Sequence, residues 1–514
     1  MRSILAGIVA ALAFALPAFA APTASLVLHA DQPGARIEPE VQGQFAEHLG
    51  RGIYEGVWVG EGSSIPNTRG FRNDVIAALK RIHVPVVRWP GGCFADTYNW
   101  RDGVGPRKDR PTRVNNNWGG VEEPNAFGTH EFFEFAELIG AKTYVSGNLG
   151  SGSVREMGEW IEYLTTPTRS TLGQERRRNG REAPFKLDYF GVGNEAWGCG
   201  GSMRPQFYAD LFRQAATFLR PGSGPTLRKV AVGPSADDYA WTEAVMAGAG
   251  DQMDALSLHY YTLPTGDWNH KGAAVGFDEA QWIGALSRTL HMDELIVRHT
   301  AIMDRYDPKK RVALAVDEWG AWYDTEPGAN PGFLFQQNTM RDAVLAAVNL
   351  NIFHHHADRV RMSNIAQMAN VLQAMVLTDR EKMVLTPTYY VYDLYQVFQG
   401  ATALPLEVQA PNYALGGVSV PAVHASAGRG LDGTVHIGVV NLDPRSPIEI
   451  SVKLEGVHAT IATGRVLTAS AMDAHNTFEA PDAVHPVPLA KTRLRGDTLV
   501  LVLPAKSVTV VDLK

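Results

Sequence analysis

Short apolar runs rich in β-branched residues alternate with stretches of helical periodicity through the first four-fifths of the chain. The runs at 41–47, 84–89, 142–148, 189–195, 230–234, 255–261, 312–318 and 359–364 have the length of buried strands. Apolar residues recur at helical spacing over 73–82, 130–139, 154–164, 206–218, 293–305, 339–353 and 389–398. Repeated strand–helix alternation predicts an α/β fold, a (β/α)8 TIM barrel over 41–399. Several runs end in polar residues, namely Glu47, Asn148, Glu195, His259 and Glu318. In such a barrel the C-terminal strand ends carry the chemistry.

After Gly400 the helical period stops and alternating strands begin, at 434–441, 448–454, 498–503 and 507–513. Asp432-Gly433 reads as a hairpin turn before the first of them. The pattern predicts a C-terminal antiparallel β-sandwich of jelly-roll type. The stretch 24–29 alternates in the same way, so the second domain is expected to combine 22–40 with 400–514.

The one long apolar run, 4–21, follows Arg2 and ends in Ala18-Phe19-Ala20. It is read as a signal peptide over 1–20 rather than a membrane anchor, because Pro17 and the small-residue ending suit cleavage. The expectation is an exported protein, periplasmic or secreted, with no membrane contact after cleavage.

Composition narrows the function. The chain has 514 residues, 45% hydrophobic, with 47 Lys+Arg against 54 Asp+Glu. That is too apolar for disorder, and a net charge of −7 argues against nucleic acid as partner. Two cysteines are too few for a disulfide scaffold. Cys93 and Cys199 each sit in a glycine-rich segment, and the expectation is two thiols near one pocket rather than a mutual disulfide. Arg176-Arg177-Arg178 is read as a solvated loop. His354-His355-His356 invites a metal, but three consecutive histidines cannot face one way, and no metal or cofactor is expected.

Glu195 ends the fourth run and Glu318 the seventh. In a closed barrel these strands face each other across the mouth, so two carboxylates can flank one bond, as glycoside hydrolysis requires. Strand parity alone does not choose between Asp317 and Glu318. Trp197 and Trp319 follow the two carboxylates and offer flat faces to a sugar. Trp268, on a long loop after the sixth strand, is a candidate lid or leaving-group-site aromatic. Gly91-Gly92 and Gly198 to Gly201 are read as backbone that approaches a bound sugar, since no phosphate-loop lysine follows.

These residues match a family. Gly191-Val192-Gly193-Asn194-Glu195-Ala196-Trp197-Gly198-Cys199-Gly200-Gly201 and Val316-Asp317-Glu318-Trp319 resemble glycoside hydrolase family 51, the α-L-arabinofuranosidases. Phe45 to Arg51, Arg88 to Phe94, Ser257 to Tyr261, His356 to Val371 and Leu503 to Val508 resemble further segments of the family, in order. The resemblance implies Glu195 as acid/base and Glu318 as nucleophile of a retaining, exo-acting enzyme. It also implies that Asn194 binds the sugar 2-hydroxyl and that Glu47, Cys93, Asn148, His259, Tyr261 and Gln367 line the sugar pocket. Tyr261 would touch the nucleophile and His259 would bond Glu195 or its surroundings. Asn99 departs from the histidine expected there. The implied partner is an arabinose-containing plant polysaccharide or oligosaccharide, and oligomers are common in the family. The rivals are an endo-β-glucanase or β-xylosidase on the same barrel, a metal-dependent hydrolase, and a non-catalytic sugar-binding protein.

Overall fold

A computed structural model describes residues 23–224, 226–490 and 492–514. The signal-peptide reading therefore lies outside the described residues. Eight parallel strands close into a barrel: Gly43–Phe45, Val86–Trp89, Lys142–Gly147, Tyr189–Val192, Arg228–Ala231, Ala255–Thr262, Ala313–Ala321 and Val360–Ile365. Each pairs with its sequence neighbours, and the eighth pairs with the first through Asn364 against Gly43. The strands read as continuous apolar runs because helices cover their outer faces while side chains fill the interior. Tyr189 to Val192, for example, are all buried.

Two further sheets pack as a sandwich. One has five strands, the other six, and all pairings but one are antiparallel. The exception is Thr23–His29, which lies parallel to Ile448–Glu455 and antiparallel to Leu406–Gln409. Asp432-Gly433 does turn the chain: Gly433 has φ +86°, and Asp432 Oδ1 accepts from Thr434 N at 3.0 Å.

The helix Met340–His355 joins the two parts. Every residue from Met340 to His354 is buried, because the barrel covers one side and the sandwich the other. Its histidines do structural work. His354 Nδ1 bonds Ser426 Oγ at 2.9 Å, His355 Nε2 bonds the Ala425 carbonyl at 2.8 Å, and His356 Nε2 bonds Asp293 at 2.7 Å.

Two helices extend the sequence reading. Tyr239–Ala249 fills the gap after the fifth strand, capped by Asp238, whose side chain accepts from Trp241 N at 3.0 Å. Its alanine- and glycine-rich sequence shows little polar contrast, so no periodic stripe marks it. The helix expected at 293–305 runs from Glu279 to Tyr306. Its first turns are gripped by the sandwich, with Trp282 Nε1 donating to the Leu442 carbonyl at 3.0 Å, and this second contact blurs the single apolar face. The expected arginine loop is also corrected. Thr171–Arg178 is a short helix, and Arg176 is buried with its guanidinium donating to the carbonyls of Tyr163, Arg181 and Glu182. Among the described residues no helix is long and apolar enough to cross a membrane.

Candidate active site

The fourth strand ends in a bend that aims Glu195 over the barrel mouth. Gly193 has φ +86° and Glu195 itself φ +38°, a left-handed conformation that costs a non-glycine residue free energy. Asp96 holds the bend. Its carboxylate accepts from Asn194 N at 2.8 Å, Leu149 N at 2.8 Å and Gly150 N at 2.7 Å, tying the third and fourth strand ends together.

The seventh strand is irregular where its chemistry lies. Register shifts occur against the sixth strand between Ser257 and His259, and against the eighth between Val316 and Trp319. A bulge breaks the strict alternation of faces, and consecutive Asp317 and Glu318 both reach the buried polar cluster. Arg88 Nη1 donates to Glu318 Oε1 at 2.8 Å, and Tyr261 OH donates to Glu318 Oε2 at 3.1 Å. Tyr144 OH donates to Asp317 Oδ2 at 2.7 Å. His259 bridges the two carboxylates, with Nδ1 at 2.9 Å from Glu195 Oε1 and 3.5 Å from Glu318 Oε2. Its Nε2 lies 3.2 Å from Asp317 Oδ1. One oxygen each of Glu195 and Glu318 and a nitrogen of His259 all fall within 4.8 Å of one another.

Glu47 forms a second buried carboxylate group beside this pair. Gln367 Nε2 donates to its Oε2 at 3.0 Å, while Trp118 Nε1 and Phe94 N donate to its Oε1 at 2.8 and 3.0 Å. Gly91 and Gly92 allow this packing. A Cβ on Gly91 would come within 2.6 Å of Glu47, and one on Gly92 within 2.7 Å of Glu318 Oε1. The two glycines thus make room for the carboxylates themselves, where the sequence reading assigned that room to a bound sugar.

Beside Glu195 opens a cavity of about 720 Å³, lined among others by Trp197, His259, Tyr261, Trp268 and Trp322. Trp268 stands edge-on to Trp322, with ring centroids 5.4 Å apart.

Two family models match the chain: the α-L-arabinofuranosidase 1 domain over residues 78–280 and the α-L-arabinofuranosidase C-terminal domain over 317–507. The chain is 48% identical to an intracellular exo-α-L-arabinofuranosidase of Bacteroides ovatus, over 96% of both chains. Its fold matches the crystal structure of a family 51 arabinofuranosidase from Xanthomonas axonopodis pv. citri, with 56% identity, a TM-score of 0.95, and coverage of 96% of this chain and all of that one. The Thermotoga maritima α-L-arabinofuranosidase, solved as an arabinose complex, matches at 29% identity and a TM-score of 0.81, covering 95% and 99%. The chain belongs to glycoside hydrolase family 51. It is a glycoside hydrolase, on the barrel-and-sandwich fold expected for that family.

One expectation falls with these comparisons. Export is contradicted by the Bacteroides ovatus relative, which aligns over nearly the whole chain and is named intracellular. The apolar N-terminal run is a compositional pattern, and it does not outweigh that finding.

The geometry corrects three further expectations about this family 51 chain. Cys93 and Cys199 are joined in a disulfide, where two thiols were expected. The bend after Glu195 swings Cys199 back over the second strand end, and their sulfurs lie 3.9 and 3.5 Å from Glu195 Oε2. Asn148 does not join the carboxylates. Its Oδ1 accepts from Ser151 N and Gly152 N at 2.9 and 2.8 Å, and its Nδ2 donates to the Tyr98 carbonyl at 3.1 Å. It therefore shapes the loop and lines a separate cavity with Asn99 and Trp160. Trp319 is fully buried against Phe353 of the 340–355 helix, so it offers no face to a sugar. Trp322, three residues later, takes that place in the cavity wall. Asn99 caps a short 3-10 turn, its side chain accepting from Arg101 N at 3.1 Å.

Arg88, Asp96, Trp118 and Trp322 are site residues the sequence reading did not single out. Arg88 had a signal, since a charge between Val87 and Trp89 in an apolar strand must find a buried partner. Trp118 comes from a hairpin loop between Arg113–Asn115 and Val121–Glu123, with nothing local to mark it.

The electrostatics separate the groups by role. Burial pushes the Glu195 carboxyl above its usual range; Glu318 adds to the rise and the bond to His259 opposes it. Burial also raises Glu47 to about 7, helped by the Glu318 charge. Burial disfavours a charged His259, but Glu318, Asp317 and Glu195 surround it and hold it up at about 10. It is a cation across the neutral range. Asp317 goes the other way: burial would raise it, but Arg88 and His259 keep it below its usual value.

Proposed function

We infer that this protein is a retaining, exo-acting α-L-arabinofuranosidase that releases terminal arabinofuranosyl residues from arabinan, arabinoxylan or their oligosaccharides. The observation that carries the reading is the Glu195–His259–Glu318 cluster, with its carboxylate oxygens within 4.8 Å. A spacing of about 5–5.5 Å between carboxyl groups suits direct attack, whereas about 6.5–9.5 Å leaves room for an intervening water.

In the first step Glu318 attacks the anomeric carbon while Glu195 gives its proton to the glycosidic oxygen. The bond to the leaving group breaks, and a covalent glycosyl-enzyme forms on Glu318. Burial and the Glu318 charge keep that proton on Glu195. Esterification then neutralises Glu318, removing part of what raised Glu195. Glu195 next takes a proton from water, which attacks the same carbon and frees Glu318. Arg88 and Tyr261 hold one oxygen each of the nucleophile in line. Asn194 has its carbonyl engaged by Arg88 Nη2 at 2.6 Å and its Nδ2 in a long contact with Cys199 Sγ at 3.8 Å, and the second N–H of that amide is the donor to the sugar 2-hydroxyl. Glu47 and Gln367, hydrogen-bonded to each other, grip other hydroxyls. Exo action is supported by the name of the Bacteroides ovatus relative.

A panel of aryl glycosides tests the reading. Hydrolysis of the α-L-arabinofuranoside, with the β-xyloside and β-glucoside left intact, is expected. Preference for a β-xyloside, or for β-glucan, overturns it.

A further inference from the structure

We propose that Cys93, Cys199 and Glu195 form a redox-gated site for a thiophilic divalent cation of the zinc and cadmium class, seated on the acid/base. One donor atom from each of the three side chains lies within 4.8 Å of the other two. Two soft thiolates and one carboxylate oxygen make a three-donor set of the kinds zinc-type ions take from proteins, with a fourth position left for water. His259 Nδ1 bonds the other Glu195 oxygen at 2.9 Å and orients the carboxylate from behind, as outer partners of metal ligands do.

The gate is the disulfide. While Cys93 and Cys199 are joined, neither sulfur can act as a thiolate ligand. Cys199 is exposed, on a turn flanked by Gly198 and Gly200-Gly201, so a small dithiol can reach it. A thiolate of the dithiol attacks the Cys199 sulfur and the Cys93 sulfur leaves as thiolate. The second sulfur of the dithiol then displaces Cys199, and the dithiol ends as its cyclic disulfide. Two electrons pass to the cysteine pair. The glycine-rich turn lets the freed sulfurs separate around an ion, with Zn–S bonds of about 2.3 Å. Binding releases the protons held by the two thiols and by Glu195. A carboxylate engaged by a cation cannot give a proton to a leaving group, so the loaded site is inactive. The histidines at 354–356 are no alternative site, since each has a ring nitrogen committed to the sandwich or to Asp293.

The test compares the full-length protein, oxidised and after anaerobic dithiothreitol treatment and desalting, with free thiols counted first. Each is titrated with Cd²⁺, reading the thiolate-to-cadmium ultraviolet absorption and the hydrolysis of an aryl α-L-arabinofuranoside. The reduced protein should show two thiols and bind one Cd²⁺ with the absorption. It should lose about a hundredfold of kcat, the scale of general-acid assistance, and EDTA should restore it. The oxidised protein and reduced Cys199→Ser or Cys93→Ser should show no band. A pair that resists reduction in the native protein, no band beyond the serine variants, or a band without loss of turnover each overturns the proposal. The activity arm rests on Glu195 as the acid/base and the absorption arm does not, so failure of that reading is distinguishable from failure of the site.

Discussion

Two groups of buried histidines in this molecule behave oppositely. At the barrel mouth His259 is fully buried and held at about 10. At the contact between the 340–355 helix and the sandwich, burial drives His354 and His424 down to about 3. Burial disfavours the charged form in both places. The difference is what surrounds the ring. His259 faces Glu195, Asp317 and Glu318, whereas His354 faces Ser426, Phe398 and Tyr395, and His424 faces His355. A buried group is charged where its neighbours compensate it, and of these two places it is the mouth that surrounds its histidine with carboxylates. Functional sites are where such paired, perturbed groups collect.

The contrast can be broken first at the nucleophile. Glu318→Ala removes both the attacking group and the main support of the His259 charge, and turnover should fall by about 10⁴-fold or more. Steady-state hydrolysis of an aryl α-L-arabinofuranoside measures it, and residual activity above a tenth of wild type would be incompatible with the assignment. The next largest effect is expected at Asp96. Asp96→Asn puts an amide donor against backbone N–H groups and loosens the Glu195 bend. A loss of up to about a hundredfold in kcat, with KM little changed, is expected from the misplacement. An unchanged kcat would show that the bend holds without it.

His259→Gln sharpens the contrast through pH. The His259 cation lowers the Glu195 carboxyl, so without it the proton on Glu195 persists to higher pH. The alkaline limb of kcat/KM should move to higher pH. A downward move would mean that His259 does not carry its charge at the mouth.

The smallest effect is at the histidines of the sandwich contact. Their pKa values are depressed in the folded state, so the unfolded chain binds more protons between about pH 3 and 6.5. Stability is then lost as pH falls through that window, by about 1.4 kcal/mol per pH unit for each such histidine. Urea unfolding at pH 7 and 5 measures the slope. His354→Asn, which keeps a donor for Ser426, should flatten it by about one histidine's share. An equal slope would place the acid sensitivity elsewhere.

The same division explains what could be read from the residues. The barrel strands are buried on both faces, and their apolar runs mark them plainly, as at 86–89 and 189–192. Glu195 and Glu318 stood out as charges at strand ends, and the two arabinofuranosidase-like motifs separated their roles. Local pattern failed where position depends on a distant partner or on irregular backbone. Trp319 follows Glu318 on the strand, so its side chain takes the opposite face and packs on Phe353 of a helix distant in sequence, while Trp322 reaches the cavity. Cys93 and Cys199 are 106 residues apart, and only the bend after Glu195 brings them together. Asn148 sits at a strand end with the right chemistry, but its own loop captures the amide.

The most direct test of the double-displacement account is to stop it halfway. Glu195→Ala, given an aryl α-L-arabinofuranoside with a good leaving group, should complete the first step and stall at the second. Intact-protein mass spectrometry should then show one anhydropentose added per chain, and peptide mapping should place it on Glu318. Turnover by this variant at the wild-type rate with no adduct, or an adduct on any residue other than Glu318, would contradict the account.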